Sequence, residues 1–190
     1  MAMKENMIGK LCTYKGRIID LRNMEPEDFD VVEIAHALSL RCRFGGMSKE
    51  FYSVGQHSFY ASWMVPAKKA LAALLHDGVE AYLGDMVSPL KPLFPEFKTF
   101  EKKLGGQMAL SFSLAVDALE DPDIKMVDQK LMALEAAYLM TDPSFVFDYV
   151  GTPDGSMFMI DRSFHCWEPK IAEDIFMQRF NELKDGGHIA

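Results

Sequence analysis

The chain is organised around residues 74–85, whose sequence is LLHDGVEAYLGD. The apolar run at residues 70–75 predicts a buried helix, which then presents His76 and Asp77 in adjacent positions. Adjacent residues of a helix point about 100° apart, so these two side chains cannot share one face. An imidazole and a carboxylate placed in this way can still converge on one metal ion that lies off the edge between them.

Two more carboxylates follow in the same segment. Glu80 comes three residues after Asp77, which places both on one face of any helix that continues, and Asp85 follows Gly84, which is expected to end that helix. A buried charge is unfavourable unless it is paired or bound to a metal, so this set on an apolar background predicts a metal site. The alternative is an acidic helix end at the protein surface.

Composition predicts a soluble globular protein with a single domain over residues 1–190. The hydrophobic fraction is 49% and the mean hydropathy is -0.03. No apolar run approaches the roughly 20 residues of a membrane span, the first residues lack the layout of a signal peptide, and the three cysteines are widely scattered. We therefore expect a cytoplasmic protein that does not use a membrane. The net charge of -8 argues against a nucleic-acid polymer as a partner, but not against a single nucleotide.

The first part of the chain predicts a short irregular or β segment at residues 10–24, followed by a helix with apolar positions from Val31 to Leu38. His36 lies in this helix and is interpreted as structural, because a lone histidine there is more often hydrogen-bonded in the core than a ligand.

The helix is expected to end through Arg43, Phe44 and a Gly-Gly break. An arginine beside an aromatic ring and flexible glycines can hold a phosphate and a base. The alternative is a basic last turn that complements the helix dipole.

A second helix is predicted to begin after Ser53, which suits an N-cap, with Gln56 three residues on as its capping-box partner. His57 then lies in the first turn. The helix that leads to His76 follows after a short connection, so the two helices are expected to be antiparallel neighbours. His57 near the start of one helix and His76 near the end of the next are therefore predicted to meet.

Three prolines between residues 86 and 95 predict a loop that contains Lys91, which either reaches a phosphate or is solvated. From Glu96 onwards the apolar spacing predicts a helix, which Gly105 and Gly106 would weaken or kink.

Another helix is predicted to start at Asp121, with Asp128 at the edge of its apolar stripe. A carboxylate in that position either faces solvent or acts as an inward ligand, and Glu135 follows seven residues later along the same side. Residues 143–155 are expected to be irregular. A last helix at about residues 170–183 is expected to pack across the core.

The ordered set of a histidine, a His-Asp pair and a late aspartate, each on a separate helix, resembles the HD-domain superfamily of metal-dependent phosphohydrolases. The likeness covers roughly residues 30–140, and it is closer to the YfbR-like branch, which includes the bacterial 5′-deoxynucleotidases, and to the phage relatives of that branch. The segments that carry it are IAHALS at 34–39, RF at 43–44, FYSV at 51–54, QHS at 56–58, LLHD at 74–77, EAYLGD at 80–85 and PLK at 89–91.

The resemblance implies an all-α fold: an HD-domain helical bundle with short irregular N-terminal and C-terminal segments. It also implies that one divalent metal ion is held by His57, His76, Asp77 and Asp128. Two imidazoles and two carboxylates suit manganese, cobalt, zinc, nickel or iron. Superfamily members with two metals use further histidines between the doublet and the last aspartate, and residues 78–127 contain none, so a single ion is expected.

By the same resemblance, Glu80 and Asp85 lie beside the metal, where either could orient or deprotonate the attacking water. Glu80 is favoured, with Asp85 orienting water or contacting a sugar hydroxyl. Arg43 matches the phosphate-binding arginine of the family, and Lys91 is a second phosphate ligand. Phe44, the aromatic neighbour of Arg43, is the substrate-binding candidate that the local sequence suggests for a base.

The resemblance thus implies a phosphohydrolase that acts on deoxynucleotides with metal-activated water. The acidic surface and the short domain without an obvious extra basic loop favour removal of the 5′-phosphate of a deoxynucleoside monophosphate. The alternatives are a triphosphohydrolase that releases tripolyphosphate from a deoxynucleoside triphosphate, and a non-catalytic HD-like module that binds a nucleotide or a protein. An all-helical interaction protein with accidental histidines is a further reading. Homologous enzymes of this kind are often dimers or larger, so a homo-oligomer is expected.

Overall fold

The computed structural model describes residues 7–153 and 164–186, and it confirms the all-α class. A small antiparallel sheet precedes the helices, with β1 (Lys10–Cys12) paired to β2 (Ile18–Asp20). This hairpin is the short β segment expected near the N-terminus. Across the described residues, no helix combines the length and the apolar character that a membrane span needs.

The helices are α1 (Val31–Leu40), α2 (Val54–Met64), α3 (Ala70–Leu75), α4 (Glu80–Leu83), α5 (Pro95–Ser111), α6 (Pro122–Leu139), α7 (Ser144–Val150) and α8 (Pro169–Asp185). Among them α2 is central, because it packs against α1, α3, α6 and α8. Its residues are buried on nearly every side, including Val54, His57 and Ala61. A helix that is buried all round holds the side chains of its first turn inside the protein.

The final helix, α8, carries an apolar stripe of Ala172, Phe176 and Phe180, and all three side chains are buried. It packs across α1 and α2. This is the arrangement expected for a last helix at about residues 170–183.

His36 on α1 links the hairpin and α8. Its Nδ1 lies 3.1 Å from Glu173 Oε2 on α8, and its ring stacks on Tyr14 at a centroid distance of 3.6 Å. These contacts agree with the interpretation of His36 as a structural residue.

The segment around the His-Asp pair is not one continuous helix. α3 ends at Leu75 and α4 begins at Glu80. In the turn between them the Gly78 N–H donates to Leu75 O at 2.8 Å, and the Glu80 N–H donates to Asp77 O at 2.9 Å. These bonds span three residues, as in a 3₁₀ turn, so Glu80 still follows Asp77 by about one turn.

Ser53 caps α2 as predicted, because its Oγ accepts the Gln56 N–H at 3.0 Å. The predicted capping box is wrong, since the Gln56 side chain turns towards the segment before α8. There its Nε2 donates to His165 O at 2.6 Å, and its Oε1 accepts the Trp167 N–H at 2.9 Å. Backbone partners that are distant in sequence satisfy this buried amide better than the local cap would.

Helix α7 lies where residues 143–155 were expected to be irregular, so that expectation is wrong for its residues. Pro143 is the N-cap, where the missing N–H is not needed, and Asp142 Oδ1 accepts a backbone N–H of the first turn at 3.0 Å. Val146 is buried, and α7 packs on α6. Residues 154–155 fall outside the described part of the chain.

Two glycines test the packing around the His-Asp turn. A Cβ on Gly78 would lie 2.8 Å from the Met108 side chain, which is fully buried, and 3.0 Å from Leu75 O. We expect Gly78→Ala to lower the free energy of unfolding by about 1–3 kcal/mol, because the core has no room for the methyl group. Urea unfolding followed by circular dichroism measures the change.

Gly105→Ala is the matched control. Gly105 lies inside α5, which runs through Gly105 and Gly106 without interruption, and a Cβ on Gly105 would approach Leu119 no closer than 3.9 Å. Alanine favours a helix interior over glycine by roughly 0.5–1 kcal/mol, so this variant should be more stable than the original chain. Equal stability of the two variants would contradict the described packing of Gly78.

Candidate metal centre

Three helices bring two histidines and an aspartate to one point. His57 lies in the first turn of α2, His76 directly follows α3, and Asp128 lies in α6. One ligand atom from each lies within 4.8 Å of those of the other two. The predicted meeting of the start of α2 with the end of α3 is confirmed.

The two imidazoles present their Nε2 atoms to the same space. These nitrogens lie 3.3 Å apart, and His57 Nε2 lies 3.1 Å from Asp128 Oδ1. The other nitrogen of each ring is already bonded: His76 Nδ1 lies 2.8 Å from Ala73 O, and His57 Nδ1 lies 2.7 Å from Glu135 Oε1. A neutral imidazole whose Nδ1–H is donated has its lone pair on Nε2, so the donor set fits a divalent ion.

Asp77 borders this group. Its Oδ2 lies 3.2 Å from His76 Nε2 and 3.6 Å from His57 Nε2. It is not one of the three residues whose ligand atoms lie mutually within 4.8 Å. Its place as a fourth ligand stays a prediction, whereas His57, His76 and Asp128 form a group that could hold an ion.

A fully buried carboxylate, Glu135, supports the centre from behind. It accepts hydrogen bonds from His57 Nδ1 at 2.7 Å, from Arg43 Nε at 3.0 Å and from the Tyr52 hydroxyl at 2.9 Å. The sequence placed Glu135 on the same side of its helix as Asp128 but assigned it no role, and it did not single out Tyr52. The seven-residue spacing on α6 was the available signal, but the partners of Glu135 come from elsewhere in the chain.

The buried charges set the protonation of the centre. Burial and the charge of Arg43 oppose a proton on His57, but Glu135 and Asp128 outweigh them and raise the pKa of His57 to about 9. Burial acts against ionised Asp128, yet its hydrogen bond to His57 and the nearby positive charges hold the pKa of Asp128 well below its usual range. In the metal-free protein, a protonated His57 therefore supplies the positive charge between the carboxylates of Glu135 and Asp128.

Glu80 and Asp85 line the same cleft as Asp77 and Asp128, and their part in activating water stays a prediction. Glu80 is buried, and its Oε2 has no hydrogen-bond partner within the described structure. Burial raises the pKa of Glu80 well above its usual range, and the charges of Asp77 and Asp85 add to this effect. Burial, opposed in part by Arg43, likewise raises the pKa of Asp85. Lys91 Nζ lies 3.9 Å from Glu80 Oε1 and bonds Glu101 at 2.9 Å.

Arg43 is less accessible than a surface phosphate ligand, because the residue is only 8% exposed. Its guanidinium nitrogens lie 3.6 Å from Asp77 Oδ2 and 3.7 Å from Asp128 Oδ1, while Glu135 holds its Nε. The following residue, Phe44, has a φ of 56°, in the left-handed region that a side chain disfavours. The Arg43 guanidinium carbon lies 5.6 Å from the centre of the Phe44 ring.

Two clefts open next to these residues. The first has a volume of about 240 Å³ and is called the aromatic cleft. Its charged lining residues are Arg43, Asp77, Glu80, Asp85, Lys91 and Asp128. Its apolar lining residues include Phe44, Met86, Met132, Met140, Phe145 and Tyr149.

The second cleft is wider, at about 960 Å³, and also reaches His76, Asp77, Glu80 and Asp128. It is called the lysine groove, because it is lined by Lys91, Lys98, Lys102, Lys103 and Lys125. Acidic residues line the lysine groove as well, among them Glu101, Asp117 and Glu120. The candidate centre therefore lies where the aromatic cleft and the lysine groove meet.

Fold and site together define an all-α protein with a His/Asp group that could hold a metal ion. Over 174 residues the chain is 34% identical to the uncharacterized protein YfdR of Escherichia coli K12, an alignment that covers 91% of this chain and 94% of YfdR. The chain belongs to the family of YfdR. It is also 32% identical over 109 residues to an uncharacterized protein of Rhodobacter capsulatus, covering 52% of this chain and 56% of that protein. No protein-family model matches the chain.

Removing the buried carboxylate should be far more disruptive than removing one of its donors. Glu135→Ala leaves the Arg43 charge buried without its closest partner, which should lower the free energy of unfolding by about 3–5 kcal/mol. Tyr52→Phe removes only one hydrogen bond and keeps the ring, so a loss of about 1 kcal/mol is expected. Denaturant titration of both metal-free variants measures this, and similar losses would contradict the described network.

If His57, His76 and Asp128 hold an ion, the raised pKa of His57 makes its binding depend on pH. A ligand must shed its proton to bind the ion, and His57 holds that proton up to about pH 9 in the metal-free protein. The apparent affinity for manganese or cobalt should therefore rise about tenfold for each pH unit between roughly pH 7 and 8. Calorimetric titration in buffers of different ionisation enthalpy counts the released proton. An affinity that is constant over this range would show that His57 is neutral there.

Proposed function

We propose that this chain is a metal-dependent phosphohydrolase of the HD-domain superfamily, which removes the 5′-phosphate from a deoxynucleoside monophosphate. The observation that carries the proposal is the convergence of His57 Nε2, His76 Nε2 and an Asp128 oxygen next to the unpartnered buried carboxylate of Glu80. The ordered motif that resembles the YfbR-like branch supports it from the sequence.

Under this proposal His57, His76 and Asp128 would hold one divalent transition metal, with Asp77 as the fourth ligand. A bound ion would polarise a phosphoryl oxygen and lower the pKa of a water molecule. Both carboxylates and both neutral imidazoles suit manganese, cobalt, nickel, iron or zinc.

The other residues of the site have separate roles in the proposed reaction. Glu80 accepts the proton of the attacking water at its free Oε2, since a nearby cation favours its ionised form while burial keeps it a strong base. Asp85 orients that water or contacts a sugar hydroxyl. Arg43 donates to the phosphoryl oxygens as charge develops on them, and Lys91 is placed to do the same.

A second candidate, hydrolysis of a deoxynucleoside triphosphate, is favoured by the lysine groove. Lys91 and Lys125 pair with Glu101 and Glu120. Lys98 and Lys102 form no direct ion pair within the described part of the chain, although their charges act on Glu120 and help to lower its pKa. A phosphate chain that extends beyond the metal centre would meet those two positive charges.

A cytoplasmic location fits the three cysteines Cys12, Cys42 and Cys166, which are all free thiols. The alternative is a non-catalytic binding module. Such a module would bind metal or nucleotide but would not hydrolyse the nucleotide, which distinguishes it from the proposed enzyme.

Product analysis tests the proposal directly. Purified protein with manganese or cobalt is incubated with each deoxynucleoside monophosphate and triphosphate, and the released species are separated by chromatography. Free phosphate from a monophosphate is the expected result. Tripolyphosphate from a triphosphate would establish the second candidate. With bound metal demonstrated, release from none of these nucleotides would overturn both.

Two variants separate metal binding from water activation. Asp77→Ala should abolish metal binding and activity and leave the protein folded. Glu80→Gln should keep the metal and lower kcat by about 10²–10⁴-fold, because it removes only the proton acceptor. Steady-state kinetics with metal analysis measures both effects.

Glu101→Gln is the control for Glu80, because Glu101 is the other carboxylate that contacts Lys91. Its kcat should fall far less than that of Glu80→Gln, because Glu101 contacts Lys91 but accepts no proton in the proposed reaction. If Glu80→Gln turned over at the original rate with metal bound, Glu80 would not be the proton acceptor; full turnover by Asp77→Ala would remove Asp77 from the ligand set.

A further inference from the structure

The apolar residues of the aromatic cleft have no part in phosphate chemistry. Two of them, Phe145 and Tyr149, are large and highly exposed, at 69% and 64%. They stand four residues apart on α7, so they share one helix face, and both line the cleft. Large exposed apolar side chains grouped at a cleft mark a surface that binds something apolar.

Helix α7 is anchored well enough to hold these rings in place. Val146 is buried, the helix packs on α6, and Asp142 caps its first turn at 3.0 Å. Gly151, with a φ of 89°, ends the helix directly after Tyr149 and Val150. The two exposed rings thus stand on a supported helix rather than on a loose loop.

The composition of the cleft narrows the class of ligand. Met132 and Met140 add flexible apolar side chains from the same α6–α7 region, where Asp128 is the charged lining residue. The other charged lining residues come from the turn after α1, the His-Asp segment and the Lys91 loop, which also contribute the apolar side chains of Phe44 and Met86. Methionine adapts to flat ligands of varied outline. Under the proposed function, the charged residues around Arg43 and Lys91 take the phosphate, and the apolar side chains of α6 and α7 are free to contact a flat aromatic ring.

We propose that Phe145 and Tyr149 of α7 form the stacking platform for the base of the nucleotide substrate. This inference rests on the proposed function and assigns specificity-determining residues to the same site. Stacking of a base on an aromatic side chain needs only two flat faces, and its loss typically weakens binding by about tenfold or more for each ring removed.

The test compares a nucleotide with its base-free counterpart. Deoxyadenosine 5′-monophosphate and 2-deoxyribose 5-phosphate are titrated by calorimetry into metal-loaded protein that carries Glu80→Gln, which should bind without rapid turnover. Hydrolysis of each is measured in parallel with Glu80 intact. The variants are Phe145→Ala, Tyr149→Ala and the matched control Tyr149→Phe, which keeps the ring and loses only the hydroxyl.

Both alanine variants should raise KM and Kd for the nucleotide by roughly tenfold or more, with kcat and the constants for the base-free sugar phosphate unchanged. Tyr149→Phe should behave like the original chain. Because both side chains are exposed, the alanine variants should keep their thermal stability, which circular dichroism checks.

Several outcomes overturn the platform. Unchanged nucleotide constants in both alanine variants, with turnover intact, would remove it and leave the proposed function standing. Equal losses for the nucleotide and the base-free sugar phosphate would show that the rings do not contact a base. An altered oligomeric state with unchanged nucleotide constants, seen by sedimentation, would assign this face to a second copy of the chain.

The stacking platform can also be supported by an experiment that overturns the proposed hydrolase activity. Binding of the nucleotide that depends on Phe145 and Tyr149, without hydrolysis of either compound, would support the platform and overturn the hydrolase. Failure of the original chain both to bind and to hydrolyse the nucleotide would overturn both.

Discussion

The buried carboxylate of Glu135 is the constraint on which the centre of this protein depends. It receives three donors at once: the His57 ring, the Arg43 guanidinium and the Tyr52 hydroxyl. An isolated carboxylate in this position would be strongly destabilising, so α6, α2 and the segment after α1 must come together for it to be satisfied. The same contacts orient His57 Nε2 towards His76 and Asp128. The hydrogen bonds of Glu135 therefore link the packing of the core to the geometry of the candidate metal centre.

Positive charge is distributed around this centre in a way that matches the proposed chemistry. Arg43 lies against Glu135, Asp77 and Asp128, so it offsets the buried acids whether or not a ligand is present. Glu80 is a poorly compensated acid of this centre: its Oε2 has no hydrogen-bond partner within the described structure, and burial raises its pKa. A buried carboxylate oxygen without a hydrogen-bond partner lowers stability, so we expect such a group to have a functional role.

The sequence patterns predicted a helix or a cap well where residues close together in the chain form it. Ser53 caps α2 because its hydroxyl needs only the backbone of the next turn, and the helix through Asp128 begins at an Asp-Pro pair that suits a first turn. The errors arose where distant partners intervened. The Gln56 side chain binds backbone near α8 instead of completing the cap, and α7 forms because Val146 can be buried against α6.

The sequence by itself determined the all-α class and the residue types and order of the candidate centre: a histidine at the start of one helix, a His-Asp pair at the end of the next, and a late aspartate. It could do so because helical periodicity and short connections constrain which ends are neighbours. Only the tertiary structure decided that Glu135 holds His57 from behind, that Arg43 is buried among acids, and that α7 turns two aromatic rings towards the cleft. These features depend on partners far apart in the chain, and the energy of a buried charge is set by which groups surround it, which no local pattern encodes.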